Sequence, residues 1–331
     1  MKDMATRSAL NPGVSRLEVF GWALYDFANS GYTTVVLTAV FSAYFVSVVA
    51  GDPTLGTLWW TLTLSASHFV VMVTVPLLGA LSDRLQRRRG LLVMTTIGCV
   101  VCTAALGLAG PGSVLLAVMM VLFSNVFFSW GESLISSYLP TLARAHAMGR
   151  VSGWGWGLGY VGGMLTLGLC LFYVLQAQSH GQSADQFVPV TMLITAGIFA
   201  LAASLSITLL KDRPGSAGDI SPAWQRLRQT FKHARQHNDF FWLLICTVAY
   251  MAGVAVAIAL AAIYAQQVIG FTEADIMILI FVLNIAAVIG ALLAGYGQDA
   301  IGHRLALAIT LVGWVATCLI AASATSKPGF W

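Results

Sequence analysis

The sequence predicts an all-α membrane protein. Of its 331 residues, 58% are apolar and only 9% are charged, and the mean hydropathy is +0.82. Soluble domains carry about 25% charged residues, so a soluble fold of this size could not cover its surface. The apolar runs are continuous rather than alternating, which favours membrane helices over a β-barrel.

Nine runs reach the roughly 20 apolar residues that a spanning helix needs. They lie at 19–50, 57–82, 90–110, 112–138, 150–176, 187–211, 240–268, 274–297 and 305–323. With nine spans, sixteen of the 17 Lys and Arg residues fall on one side, and only Lys327 falls on the other. The positive-inside rule places that basic side and the N-terminus in the cytoplasm, with the helices in the inner membrane. This topology accounts for the net charge of +4 without a nucleic-acid partner.

The longest polar stretch separates six spans from the remaining three. Ser221 and Pro222 suit the N-cap and first position of an amphipathic helix, and Trp224 and Phe231 lie on its apolar face. The sequence therefore predicts three parts. These are an N-terminal six-helix repeat at 1–211, a cytoplasmic linker with an amphipathic helix at 212–239, and a partial C-terminal repeat of three helices at 240–331.

Two short turns, after spans two and eight, share the pattern G-x-x-x-D-x-x-x-x-R. The first contains Asp83, Arg84 and Arg88, and the second contains Asp299 and Arg304. Because six spans separate the two copies, the sequence predicts two parallel repeats of six helices. The pattern resembles the loop motif of the major facilitator superfamily.

Three further stretches resemble the vacuole-effluxer-like branch of that superfamily. They are WALYDFANS at 22–30, YLP at 138–140 and RVSGWGWGLGYVGG at 150–163. This branch includes autophagy-related vacuolar amino-acid exporters and bacterial permeases. The resemblance implies the major facilitator fold and a location in a bacterial inner membrane. It also implies secondary transport of a small solute by alternating access, with amino acids as one candidate class of solute. It implies neither enzyme activity nor a cofactor.

Members of the resembled family have twelve spans, whereas the nine predicted here end before Trp331. A fragment, a frameshifted reading frame and a real truncation are all compatible with this. For the 331-residue form expressed alone, we expect instability or self-association and no transport as a monomer. The alternative to a transporter is therefore a non-transporting membrane protein, either a degenerate remnant or a partner subunit.

The resemblance also implies a conformational latch at each motif. Asp299 is expected near Arg150 at the start of span five, where a helix dipole gives a modest, reversible attraction to a carboxylate. Asp83, with Arg84 and Arg88 beside it, is expected to approach span eleven, which has no counterpart in these 331 residues.

Two carboxyl groups, Asp26 and Glu132, lie within predicted spans at similar depth. Each costs a few kcal/mol or more if it faces lipid, so each should face a cavity or a partner. A carboxyl removed from water takes up a proton more readily, and we expect at least one of the two to couple protons to transport. The alternatives are that Asp26 structures the start of span one and that Glu132 makes a buried structural hydrogen bond.

On each of the two helices, further polar residues lie on the same face as the carboxyl group and form a polar stripe with it. The candidate transport residues are Asp26, Asn29, Thr33, Asn125, Glu132 and Ser136, with Ser30 and Ser129 beside them. His68 is isolated in span two, and a buried hydrogen bond is expected for it.

Span five carries Gly155, Gly159 and Gly163 at intervals of four, a spacing that lets helices approach closely. The five cysteines all lie in apolar runs, so neither a disulfide framework nor a metal site is expected. The sequence also lacks a nucleotide-binding P-loop and the common catalytic motifs. Transport would then be facilitated or driven by a gradient.

Overall fold

The computed structural model describes residues 9–85, 88–212, 238–269 and 273–324. Within these ranges, nine helices are long and apolar enough to cross a membrane, which confirms the predicted number of spans. The helices are α1 Arg16–Tyr32, α2 Pro53–Leu85, α3 Arg88–Ala105, α4 Val114–Ser136, α5 Met148–Ser179, α6 Ala184–Leu209, α7 Asn238–Gln267, α8 Glu273–Ile301 and α9 His303–Ser323. The predicted amphipathic helix of the linker, and Lys327, lie outside the described residues.

The first span continues beyond α1 through widened helical turns. π-helical segments at Thr33–Ala39 and Phe45–Val49 flank a four-residue α-helix, Phe41–Tyr44. In the first of them, the Val40 amide donates to the carbonyl of Val35, five residues back, at 3.0 Å. Such turns are rare and occur frequently at functional sites. They extend the first span well past the residues that carry its polar stripe.

Helix α1 packs against α5 and α6, and its aromatic side chains reach α3 and α4. The Tyr25 hydroxyl shares a hydrogen bond with Thr96 at 3.0 Å, and the Tyr32 hydroxyl shares one with Ser124 at 2.8 Å. All four side chains are buried. Hydrogen bonds between helices hold an apolar bundle in one arrangement, so these pairs fix α1 relative to α3 and α4.

One face of α5 is lined by glycines against α1. A Cβ atom at Gly155 would lie 2.6 Å from the Trp22 ring, and a Cβ atom at Gly159 would lie 3.0 Å from the Ser30 hydroxyl. Gly163 faces α1 in the same way, one turn further along. The three glycines therefore allow α1 and α5 to approach more closely than larger residues would.

A second glycine face of α5 contacts α8. A Cβ atom at Gly153 would lie 2.6 Å from the carbonyl oxygen of Ala291, and one at Gly295 would lie 2.5 Å from the carbonyl oxygen of Gly149. The backbones of α5 and α8 are therefore in direct contact. This second face was not among the residues predicted for helix packing.

Helices α7 and α9 lie beside α8, and the Tyr264 hydroxyl of α7 donates to the Ala321 carbonyl of α9 at 3.2 Å. Most of their described side chains are exposed. The most extensive contact between the α1–α6 group and the α7–α9 group is the one between α5 and α8.

The chain preceding α1 is held by the turn between α4 and α5. The side-chain amide of Asn11 donates to the carbonyls of Pro140, Thr141 and Ala143 at 3.1, 3.0 and 3.1 Å. Backbone hydrogen bonds between the two segments add to this contact. The beginning of the first span is therefore joined to the end of the fourth.

Candidate functional site

A groove of about 460 Å³ lies between α2 and α4. A hydrogen bond from the Trp130 indole nitrogen to the Thr74 hydroxyl, 2.8 Å long, joins the two helices alongside it. The polar side chains that line the groove are His68, Ser129, Glu132, Ser133 and Ser136. The rest of the lining is apolar and consists of Val71, Val75 and Phe128. Glu132 is exposed in this groove. A carboxyl group thus lies on an open groove within a spanning helix.

One helical turn before Ser129 of the groove, Asn125 carries a buried side-chain oxygen. The Asn125 side-chain nitrogen donates to the Ser67 hydroxyl at 2.7 Å, and that hydroxyl donates to the Leu64 carbonyl at 2.8 Å. Because the Ser67 hydrogen is already used, its oxygen must accept from the amide nitrogen, which fixes the orientation of Asn125. The Asn125 Oδ1 atom is buried and has no hydrogen-bond partner among the described residues. Asn125 shares a face of α4 with Ser129 and Glu132.

Asp26 does not line the groove. It is half-buried on α1 and packs against α5, where a Cβ atom at Gly155 would lie 2.7 Å from Asp26 Oδ2. The residues next to the two carboxyl positions do meet, because a Cβ atom at Gly131, next to Glu132, would contact the hydroxyl of Tyr25, next to Asp26. The two predicted carboxyl positions are therefore brought near each other, on different surfaces of the bundle.

The other polar side chains of the α1 stripe are more enclosed. Asn29 is only 6% exposed, and neither polar atom of its side chain has a hydrogen-bond partner among the described residues. The Thr33 hydroxyl donates to the carbonyl of Ser30 at 3.1 Å, within its own helix. A buried amide without partners costs about 1–3 kcal/mol, so Asn29, like Asn125, is a candidate for contact with a ligand.

His68 was expected to make a buried hydrogen bond, but its side chain is exposed on the groove opposite α4. Its place in the groove depends on the alignment of α2 with α4, which the sequence of α2 alone does not specify. No cluster of three or more metal-ligating side chains occurs within the described ranges.

At the other polar site, Asp299 of α8 lies against the first turn of α5. Its Oδ1 atom accepts a hydrogen bond from the Gly149 amide at 2.8 Å. Its Oδ2 atom accepts from both the amide and the Nε atom of Arg150, each at 3.0 Å. The side chains of Arg150 and Asp299 are 20% and 7% exposed. This geometry combines an ion pair with the favourable interaction between a carboxylate and a helix N-terminus.

The remaining motif residues are less fully described. The side chains of Asp83 and Arg84 lie outside the described part of the chain. Arg88 begins α3, and its guanidinium donates to the carbonyl of Ser137 at 3.5 Å. Arg304 lies in the first turn of α9 and is exposed.

Residues 59–326 match the family described as "Vacuole effluxer Atg22 like". The chain belongs to this family. The resemblance that the sequence motifs carried is therefore confirmed at the level of the family.

Two further proteins are similar to this chain. An "Uncharacterized MFS-type transporter YxiO" of Bacillus subtilis (strain 168) is 25% identical over 321 residues, which cover 94% of this chain and 74% of the relative. The proton:xylose symporter XylE, solved with bound 6-bromo-6-deoxy-D-glucose, superimposes with a TM-score of 0.59 at 15% identity, over 86% of this chain and 69% of that one. The structural likeness shows the major facilitator fold. The protein is thus a multi-pass membrane protein of the transporter type, not an enzyme.

Proposed function

We propose that this protein is a proton-coupled secondary transporter that moves a small solute by alternating access. The observation that supports this most is the position of Glu132, a carboxyl group on an open groove within a spanning helix. A carboxyl group at such a depth costs several kcal/mol unless a cavity or partner receives it. The charge split of the loops supports placement in a bacterial inner membrane with the N-terminus in the cytoplasm.

In this proposal, Asp26 and Glu132 carry the proton. The two carboxyl groups lie on neighbouring helices, α1 and α4, whose residues Tyr25 and Gly131 meet, and carboxylates that lie close together repel each other until one of them takes up a proton. Movement of a solute into or out of the groove changes this balance, because it changes what Glu132 contacts. Proton uptake at one carboxyl and solute movement are thereby linked.

Alternating access requires two bodies that move against each other. We take α1–α6 as the first body and α7–α9 as part of the second, with 212–239 as the linker. The Asp299–Arg150 contact is the proposed latch between them, since it joins α8 to α5 through a few polar contacts that can break. The equivalent latch of the first motif is proposed to consist of Asp83, Arg84 and Arg88.

Amino acids are the substrates that we propose on the basis of family membership. Their support is the likeness to vacuole effluxers and the polar lining of the groove. The groove can offer a carboxylate, hydroxyl groups and an imidazole to a small polar solute.

The test is proton movement in liposomes that contain a twelve-span form of this protein and the pH dye pyranine, since no transport is expected of the 331-residue form as a monomer. A mixture of amino acids added outside should cause a pH change in the lumen under an imposed proton gradient. Asp26→Asn and Glu132→Gln should abolish or strongly reduce this change. Asp239→Asn is a matched control, because it removes an exposed carboxyl at the start of α7.

Normal solute-dependent proton movement in both single variants and in the double variant would rule out the proposed coupling. A folded twelve-span form that moves no solute would favour the alternative, a membrane protein without transport activity.

A further inference from the structure

We propose that Tyr296 of α8 is a positioning residue for the contact between Asp299 and Arg150, because its ring holds the Arg150 guanidinium in the orientation that donates to Asp299. This inference rests on the proposed function only in taking that contact as the latch between the two bodies. Tyr296 directly follows Gly295, at the first unspecified position of the motif G-x-x-x-D-x-x-x-x-R, so the motif itself does not reveal it.

Two residues of α8 contact different parts of the Arg150 guanidinium. At its edge, the Nε atom donates a hydrogen bond to Asp299 Oδ2 at 3.0 Å. On its face, the Cζ atom lies over the Tyr296 ring, 5.8 Å from the ring centroid, which is within the range of a cation–π attraction. A guanidinium is planar, and its N–H groups point outward in that plane. The carboxylate and the ring therefore do not compete, and both contacts are made at once.

The contact with Asp299 alone leaves the guanidinium plane poorly fixed. Among the described residues, the Arg150 side chain donates to Asp299 through Nε alone, whereas the strongest arginine–carboxylate pairs form two parallel hydrogen bonds. A group held by one hydrogen bond can turn about that bond, and the long arginine side chain has considerable rotamer freedom. An aromatic ring against its face restricts this turning. Tyr296 therefore keeps Nε directed at the carboxylate while the latch is closed.

Tyr296 is itself held between the two helices. Asp299 follows it by three residues, so the ring and the carboxylate lie on the same face of α8. Trp154 follows Arg150 by four residues on α5, and its indole nitrogen donates to the Tyr296 hydroxyl at 3.4 Å. Tyr296 thus contacts two successive turns of α5. The direct backbone contact at Gly295 keeps α5 and α8 close enough for these side chains to meet.

Tyr296→Leu should weaken the latch, because it removes the ring and leaves the guanidinium free to turn. A cation–π contact at a half-exposed position such as this one is worth about a two- to fivefold change in an equilibrium. The effect should depend on Asp299, because the orientation of Arg150 matters only when the carboxylate is there to accept from it. In an Asp299→Asn background, the same substitution should therefore change the equilibrium by less than about 1.5-fold.

The test is the alkylation rate of a cysteine at Gly157, measured in membranes from cells that express the full chain with its five native cysteines replaced by alanine. A Cβ atom at Gly157 would lie 3.6 Å from the Leu292 side chain of α8, so a maleimide reaches this thiol only when α5 and α8 separate. The rate is compared among the chain without further change, Tyr296→Leu, Asp299→Asn and the double variant. Phe281→Leu, an exposed aromatic change elsewhere on α8, is the matched control and should leave the rate unchanged.

The comparison separates positioning from simple packing. An equal increase from Tyr296→Leu with and without the Asp299 carboxylate would overturn the positioning role, because it would show that the ring only packs against α5. An unchanged rate in Tyr296→Leu would overturn it as well. Tyr296→Phe keeps the ring, so its rate should lie closer to that of the parent chain than the rate of Tyr296→Leu does. Equal rates for these two variants would assign the effect to the Trp154 hydrogen bond and would contradict the inference.

Failure of this inference and failure of the proposed function give different results. If Asp299→Asn leaves the alkylation rate unchanged, the latch of the proposed function is contradicted and the inference fails with it. If Asp299→Asn raises the rate but Tyr296→Leu acts equally in both backgrounds, only the inference is contradicted. Coupling between the two residues in a twelve-span form that moves no solute supports the inference and contradicts the function.

Discussion

Replacing Asp299 by asparagine should release the start of α5 from the end of α8. The carboxylate accepts three hydrogen bonds, from the Gly149 amide and from two donors of Arg150. Asparagine keeps one acceptor oxygen and turns an amide group toward the remaining donors, and it also removes the negative charge at the helix N-terminus. At 7% exposure, solvent screens this loss only weakly.

The expected size of the effect follows from these contacts. Net hydrogen bonds to charged groups contribute about 1.5–3 kcal/mol, and a carboxylate at a helix N-terminus contributes about 0.3–2 kcal/mol. Because such contributions do not simply add, we expect a loss of about 2–3 kcal/mol. At about 1.4 kcal/mol per factor of ten, this shifts the equilibrium between closed and open α5–α8 contacts by about 30- to 150-fold.

The shift can be measured by the alkylation rate of a cysteine at Gly157, with the five native cysteines replaced by alanine. A Cβ atom at Gly157 would lie 3.6 Å from the Leu292 side chain, so a thiol there fits and is shielded by α8. Alkylation should become faster by the factor given above in Asp299→Asn, and should stay unchanged in Asp239→Asn. An increase of less than about threefold would refute the assigned strength of the contact.

Two more outcomes are expected. Gly155→Ala should lower the stability of the purified protein by about 1–3 kcal/mol, because the added methyl group meets the Trp22 ring. Gly168→Ala, on an open part of the same helix, should leave the stability unchanged or raise it by up to about 1 kcal/mol. Equal melting temperatures for the two variants would contradict the close packing of α5 against α1 at Gly155. A membrane-impermeant maleimide added to intact cells should label Gln182→Cys and should miss Ser216→Cys, and efficient labelling at 216 would reverse the topology.

The sequence predicted the spans well because each one is a long apolar run, and the bilayer thickness fixes how long such a run must be. Asp299 could be related to Arg150 because the loop motif resembles that of a known family, in which the aspartate lies near a helix start of the opposite half. The first inference depends on a local pattern that a single sequence displays, and the second depends on the resemblance.

Contacts between particular helices were harder to predict. In α5, Gly155 marked one packing face, whereas Gly149 and Gly153 form a second face against α8 that was missed. Lipid-facing and helix-facing sides of a span are both apolar, so the periodicity of hydrophobic residues separates them poorly. His68 was missed as a groove residue for the same reason, since its role depends on which helix lies opposite.

The contact between Asn11 and the α4–α5 turn has a consequence for the order of biosynthesis. Asn11 precedes its three carbonyl partners by 129 to 132 residues. At the usual rates of translation, roughly 5–20 residues per second, the ribosome makes those partners roughly 6 to 26 seconds after Asn11. During that interval the first spans enter the bilayer while the N-terminal segment has no place to dock. Docking can therefore follow only after the fourth span has been made, so a docked N-terminal segment reports that the chain has been synthesised at least as far as the turn after that span.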